Sequence, residues 1–171
     1  MRLFIAINFT NETKNKLLAL RGELRSHCTR GNFSLPENLH LTLAFLDECD
    51  AKQTAAAKAA MDAAGFEPFD VLIENVGYFK RDGGDIWWAG VKESKPLLKL
   101  QSDLTDRLIT AGFDLENRRY SPHITLGREV VTDTAPRQIT PFGETVYKID
   151  LMKSERVQGK LTYTSIYQKE N

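Results

Sequence analysis

Apolar and polar positions change period several times along this chain, and the changes divide it into elements. Leu3 to Asn8 is almost entirely apolar over the length of a strand. From Asn11 the spacing becomes helical, with Leu17, Leu20 and Leu24 on one face and Thr10 or Asn11 as the cap. The helix is expected to give way to a loop around Gly31. After a turn at Pro36, the segment LHLTLAFL, about Leu39 to Leu46, alternates with period two and predicts a second strand. Asp50 then caps an Ala-rich helix that stops at Gly65, with Gln53 placed for a capping box, and a further strand runs from Val71 to Phe79.

The same order then returns. Ile86 to Val91 predicts a strand, and Ser94 caps a helix carrying Leu97, Leu100, Leu104 and Leu108. Gly112 closes that helix, and a strand with the sequence SPHITLGR follows. The first strands of the two runs, at Leu3 and Ile86, and the two histidines, His40 and His123, share one 83-residue offset (86 − 3 and 123 − 40). Equal offsets at both ends of the unit point to a duplication. The chain is therefore read as one domain, 1–171, with lobe 1 at about 1–80 and lobe 2 at about 81–171. A last pair of strands, about Glu144 to Val157 and Leu161 to Gln168, is expected to complete the second lobe, where the Ala-rich helix has no counterpart.

Composition narrows the class of protein. A 171-residue chain with 42% hydrophobic residues fits a globular domain with its own core. The stretch Leu3 to Phe9 lacks the length and cleavage region of a signal peptide, and no later segment is long enough to span a bilayer. No membrane association and a cytoplasmic location are expected. Cys28 and Cys49 form no CxxC or CxxH pattern and give no ground for a disulfide framework or a metal site. The balance of 23 basic against 23 acidic residues argues against a protein that coats nucleic acid. It leaves room for local basic clusters, Lys80 with Arg81 and Arg118 with Arg119 and Arg128, large enough to hold one terminal phosphate.

The candidate chemistry sits in two His-x-Thr motifs. In a strand, His40 and Thr42 point to one face while Leu41 and Leu43 point into the core, and His123 and Thr125 alternate in the same way with Ile124 and Leu126. A separation of roughly 6 to 7 Å along the strand lets both side chains reach one phosphate. The hydroxyl donates to a non-bridging oxygen, and imidazole, which ordinarily titrates at about 6.5, exchanges a proton near neutrality. Two such strands facing one another place a base behind an incoming oxygen and an acid behind a leaving one. A single HxTL describes a half-buried histidine on an amphipathic strand. Finding it after two of three histidines has a chance on the order of one in several thousand. His27, in SHC near a helix end, is assigned to structure. With no HxH, HxxxH or cysteine cluster, no metal is expected, and with no GxSxG elbow, no serine nucleophile.

Two HxTx motifs on duplicated lobes resemble the 2H phosphoesterase superfamily, and MRLFIAI, LPENLHLTLAFL and YSPHITLGR resemble its RNA 2′,3′-cyclic phosphodiesterase (2′-5′ RNA ligase) family over nearly the whole chain. The residue just after the first motif strand, often glycine in that family, is Asp47 here, and the C-terminal YTSIYQKEN follows the pattern only approximately. The resemblance implies an α+β fold with pseudo-twofold symmetry, each lobe an antiparallel sheet with helices on its outer face and a central cleft between lobes. It implies hydrolysis of an RNA 2′,3′-cyclic phosphate to a 2′-phosphomonoester without metal or other cofactor. His40 is then the proton donor to O3′ and His123 the acceptor from water, although the two motifs alone leave that assignment open. Attack by an RNA 5′-hydroxyl would give 2′-5′ ligation.

Thr42 and Thr125 carry over as phosphate ligands, and Arg128 as the family's basic residue. Strand parity puts Arg128 on the face away from His123 unless Gly127 introduces a bulge. Tyr120, Phe9 and one of the adjacent Trp87 and Trp88, of which Trp87 is singled out, are candidates for stacking a base. The expected partners are RNA 3′ ends bearing a cyclic phosphate, such as tRNA fragments, and the protein is expected to be a monomer. Two rivals remain, a 2H phosphodiesterase acting on a small cyclic nucleotide such as ADP-ribose cyclic phosphate, and a non-catalytic module that binds RNA ends.

Overall fold

The computed structural model describes every residue except Asn117. Among the described residues, nine strands and three helices follow one another. They are β1 (Arg2–Asn8), α1 (Asn11–Ser26), β2 (Cys28–Phe33), β3 (His40–Glu48), α2 (Ala51–Ala63), β4 (Phe69–Phe79), β5 (Asp85–Val91), α3 (Lys95–Thr110), β6 (His123–Thr132), β7 (Arg137–Val146), β8 (Lys148–Val157) and β9 (Lys160–Glu170), with a single 3-10 turn at Pro36–Asn38 before β3. The strands form two sheets, one in the order β3-β1-β8-β9 and the other β2-β6-β5-β4-β7, and every pairing is antiparallel. The fold is α+β with two sheets, as expected.

The lobes are not consecutive halves of the chain. The last two strands do not complete the second lobe but pair β8 to β1, in the sheet that holds His40. In exchange, β2 and β4 from the first half join β5 and β6. The helices cross over too, since α1 packs on β2, β6 and β7, and α3 packs on β3. The boundary near residue 80 is therefore replaced by an interleaved pair of lobes. The crossovers after β1 and after β5 contribute to this, α1 being carried onto the other sheet and α3 reaching both β3 of the other sheet and β4 of its own. The main apolar core consequently draws on both, from Leu3, Ile5 and Leu41 to Leu104, Ile124 and Leu126.

Two edge strands depart from the expected elements. A loop was expected around Gly31, but β2 pairs with β6 there, its central residues exposed and so without apolar alternation. The strand expected over Glu144 to Val157 is two strands broken at Tyr147, and β7 begins well before it. Pro141 lies within β7 where the register against β4 slips, between Phe142 opposite Ile73 and Gln138 opposite Asn75. An edge strand tolerates proline at such an irregularity because the missing N–H has no ladder partner to lose.

The caps follow the side chains available. Asp50 accepts from the Gln53 N–H and Gln53 Oε1 accepts from the Asp50 N–H, both at 2.8 Å, which completes the expected box. Ser94 caps α3 through the Leu97 N–H. Thr10 stands at the N-cap of α1 but does not cap it, because its N–H and hydroxyl both donate to Glu144 Oε1 on β7 at 2.9 Å.

Candidate active site

β3 and β6 carry the two motifs, and each alternates as its sequence requires. Leu41 and Leu43, like Ile124 and Leu126, are buried, whereas His40, Thr42, His123 and Thr125 are half-buried on the opposite face. Each imidazole is pinned by the carbonyl two residues upstream. His40 Nδ1 lies 2.8 Å from the Asn38 oxygen, and His123 Nδ1 lies 2.8 Å from the Ser121 oxygen. A carbonyl only accepts, so in the neutral ring Nδ1 holds the proton and Nε2 keeps its lone pair. At His40, Nε2 is 3.0 Å from Thr42 Oγ1, which links the two motif side chains directly.

Electrostatics tie the two strands together. Burial lowers His40 to about 4, the Asn38 carbonyl opposes the fall, and the charges of Arg128, Lys14 and His123 deepen it. His123 is lowered by burial and by Arg128, against the Ser121 carbonyl. Burial raises the Tyr163 phenol, which Arg128 and Arg2 pull back. One guanidinium thus acts on both imidazoles and on Tyr163. The local backbone explains how Arg128 comes to this side. Trp88 faces Thr125 while Trp87 faces Gly127, so Leu126 is an extra residue at a bulge, the condition without which strand parity would turn Arg128 away from His123. Beyond it the parity is reversed, and a positive φ of 53° at Glu129 marks a second irregularity. Among the described residues neither Arg128 nor Lys14 has an acidic partner within 4.0 Å, whereas Arg118 and Arg119 are paired with Glu116 and Glu93 at the surface. Also among the described residues, no three His, Cys, Asp or Glu side chains are grouped to hold a metal ion, and no helix is long and apolar enough to cross a membrane.

A model of the 2′-5′ RNA ligase superfamily matches residues 20–157, a span that contains both motifs. The chain belongs to this superfamily. Relatives include the RNA 2′,3′-cyclic phosphodiesterase of Thermotoga maritima, 34% identical over 75% of this chain and 70% of that protein. The protein of the same name from Archaeoglobus fulgidus is 33% identical over 75% and 72%, and that from Escherichia coli is 27% identical over 96% and 93%. Among solved structures, one described as a phosphoesterase superposes with a TM-score of 0.86 at 25% identity, covering 99% of this chain and 97% of the other. E. coli LigT in complex with 3′-AMP superposes with a TM-score of 0.85 at 24% identity, again over 99% and 97%, which establishes a shared fold.

Within this 2′-5′ RNA ligase superfamily fold, two of the three candidate stacking residues, Phe9 and Trp87, are buried, contrary to expectation. Phe9 is only 6% exposed and belongs to the core. Trp87 is 2% exposed, lies beneath α1 beside Leu20 and Leu24, and packs on Tyr78 with ring centres 5.1 Å apart. Tyr120 commits its hydroxyl to the Thr42 carbonyl at 2.7 Å. The aromatic rings beside the histidines are others. Phe4 and Tyr163 stand 4.8 and 5.3 Å from His40, and Phe79 and Trp88 stand 5.1 and 6.4 Å from His123. Period two from Phe4 through Ala6 to Asn8, which pairs with His40, was a usable signal for Phe4. Trp88 was hidden because its face depends on the β5–β6 register, which sets it opposite Thr125, and Tyr163 was hidden by the reassignment of β9 to the first sheet. Trp88 fits flat because its neighbours are glycines, and a Cβ at Gly77 would lie 2.5 Å from its Cη2. Asn8 is held in turn by the buried Asp150, whose Oδ2 accepts from Asn8 Nδ2 at 2.7 Å. His27 caps α1 and its carbonyl accepts from Thr132, a structural role as expected.

Proposed function

We propose that this superfamily member opens RNA 2′,3′-cyclic phosphate ends by water attack between two imidazoles, leaving a 2′-phosphomonoester. One observation carries the reading: two histidines on two sheets each have Nδ1 fixed by a backbone carbonyl, and both rings are lowered first by burial and then by the charge of the same arginine, Arg128. Nε2 of His123 takes a proton from water as its oxygen bonds to phosphorus. The P–O3′ bond breaks in line with that attack, and Nε2 of His40 gives its proton to O3′. Thr42, Thr125 and Arg128 bind the non-bridging oxygens, whose charge grows in the transition state. The more enclosed ring suits the proton donor, since the anion that arrives beside it offsets the burial and restores the imidazolium. The more open ring, His123, suits the water side. The relatives' shared name, RNA 2′,3′-cyclic phosphodiesterase, supports the substrate class.

The test is product analysis on an RNA oligomer ending in a 2′,3′-cyclic phosphate, with and without EDTA. A 2′-monoester formed equally in both is expected. A 3′-monoester would reverse the leaving group, and turnover confined to ADP-ribose cyclic phosphate would move the enzyme to small substrates. Tight binding with no turnover would leave only an RNA-end-binding module.

A further inference from the structure

Two hydroxyl bonds clasp the motif strands in a reciprocal way. β3 is the edge strand of its sheet, and β2 ends at Phe33, so both motif strands have carbonyls beyond the reach of a neighbouring ladder. The Thr42 carbonyl accepts from the Tyr120 hydroxyl at 2.7 Å, and the Thr125 carbonyl accepts from the Ser34 hydroxyl at 2.9 Å. Tyr120 belongs to the segment that leads into His123, and Ser34 to the segment that leads into His40. Each motif is therefore gripped at its threonine by the approach to the other motif. The Ser34 N–H adds a bond to the Leu126 carbonyl at 2.9 Å. Among the described residues no other side chain donates to a carbonyl of either His-x-Thr triplet.

We propose that Tyr120 and Ser34 are positioning residues that set the separation of the two imidazoles, an inference that rests on the two-histidine reading above. Neither touches the phosphate. Each holds the peptide two residues beyond a histidine, on opposite strands, so together they fix both ends of the line along which attack and departure occur. In-line transfer is sensitive to that line, and a displacement of about 1 Å costs on the order of a hundredfold in rate. Ordinary packing would keep the sheets folded without these bonds, because the apolar core spans both. The clasp adds registry between rings that share no strand ladder.

The experiment uses Tyr120→Phe, Ser34→Ala, Ser34→Thr and the Tyr120→Phe/Ser34→Ala double variant of the full chain. With a 2′,3′-cyclic mononucleotide, Tyr120→Phe should lower kcat about 10- to 100-fold and leave KM within about threefold. Ser34→Thr should restore what Ser34→Ala loses. A second readout needs no turnover: ring resonances of the three histidines are followed as inorganic phosphate is added. In the wild type both His40 and His123 should shift together, and in the double variant one should lose its response. Unchanged kcat in the double variant, or both rings still responding alike, overturns the proposal. A wild type in which phosphate moves only one ring also overturns it. A wild type that binds phosphate at both rings but hydrolyses no cyclic phosphate instead overturns the reaction assigned above and leaves the clasp standing on the resonance data.

Discussion

The half-site on β3 and the half-site on β6 use one backbone plan in two surroundings. In both, Nδ1 donates to a carbonyl two residues upstream and a threonine stands two residues downstream. His40 is enclosed by Phe4 and Tyr163, touches the Thr42 hydroxyl through Nε2, and is driven down to about 4 by burial. His123 is more open, faces Phe79 and Trp88, and is also lowered by burial. The position five residues after the histidine is Arg128 on β6 and the exposed Phe45 on β3. The two half-sites thus share one backbone geometry in unequal surroundings. Two titratable groups pushed apart by their environments are what an acid and a base require.

The strongest way to break this comparison is to remove either ring. His40→Ala and His123→Ala should each lower kcat by about 10²- to 10⁴-fold. A diester with a p-nitrophenolate leaving group, which departs without a proton, should recover much of the loss in His40→Ala and none in His123→Ala. Equal recovery in both would abolish the division of labour. Next in size is Arg128→Gln, expected to lower kcat/KM about 10- to 100-fold by removing a charge-assisted contact. Both imidazoles should then titrate higher in the ligand-free protein, because the same cation depresses both. A rise at only one ring would place Arg128 in one half-site alone.

How much of this was legible beforehand depends on range. His40, Thr42, His123 and Thr125 followed from period-two alternation within single strands, a local property that the structure preserves. The capping box at Asp50 was equally local. Trp87 and Trp88 could not be sorted from alternation alone, since only the register of β5 against β6, with Trp88 opposite Thr125 and Gly90 opposite His123, decides which one shares the motif face. Lobe membership failed for a longer-range reason. A repeat in sequence reports which elements are homologous, and it is silent on which sheet each later joins. β8 and β9 carry their own apolar pattern but need β1 as a partner. Lys14, on the first turns of α1, and Tyr163, on β9, reach His40 only through that exchange.

The pH response offers a smaller effect that sharpens the contrast. Burial places the folded His40 at about 4, below the unfolded value of about 6.5, so the unfolded chain binds a proton that the native ring refuses. Its contribution to stability is therefore complete above about pH 6.5 and is lost as pH falls toward about 4. Melting temperature should drop over that window in the wild type and drop less in His40→Gln. In kinetics, kcat/KM reports the free enzyme and should peak below about pH 6.5, with the kcat profile displaced upward because bound phosphate favours imidazolium. A kcat/KM maximum above neutrality would contradict the depression of both rings.

The smallest effect concerns the backbone beyond the two motifs. β3 and β6 each carry a residue with positive φ past the threonine, Asp47 at 63° and Glu129 at 53°. Asp47 stands where the β1–β3 register slips, with Leu3 opposite Asp47 and Phe4 opposite Phe45, and a second slip, between Ile5 opposite Ala44 and Ala6 opposite Thr42, separates it from the Asn8–His40 pair. A non-glycine residue in this region carries a steric cost of roughly 1–2 kcal/mol, eased for aspartate by its short polar side chain. Glycine removes that cost but frees the unfolded chain, so the two terms partly cancel. The ion pair of Asp47 with Arg2 is exposed and spans 4.0 Å, too weak to decide the balance. Asp47→Gly should therefore stabilise the fold by about 0.5–1 kcal/mol in urea unfolding and leave kcat unchanged. A loss of stability would show that the aspartate side chain, and not the turn it occupies, holds the register at the far end of β3.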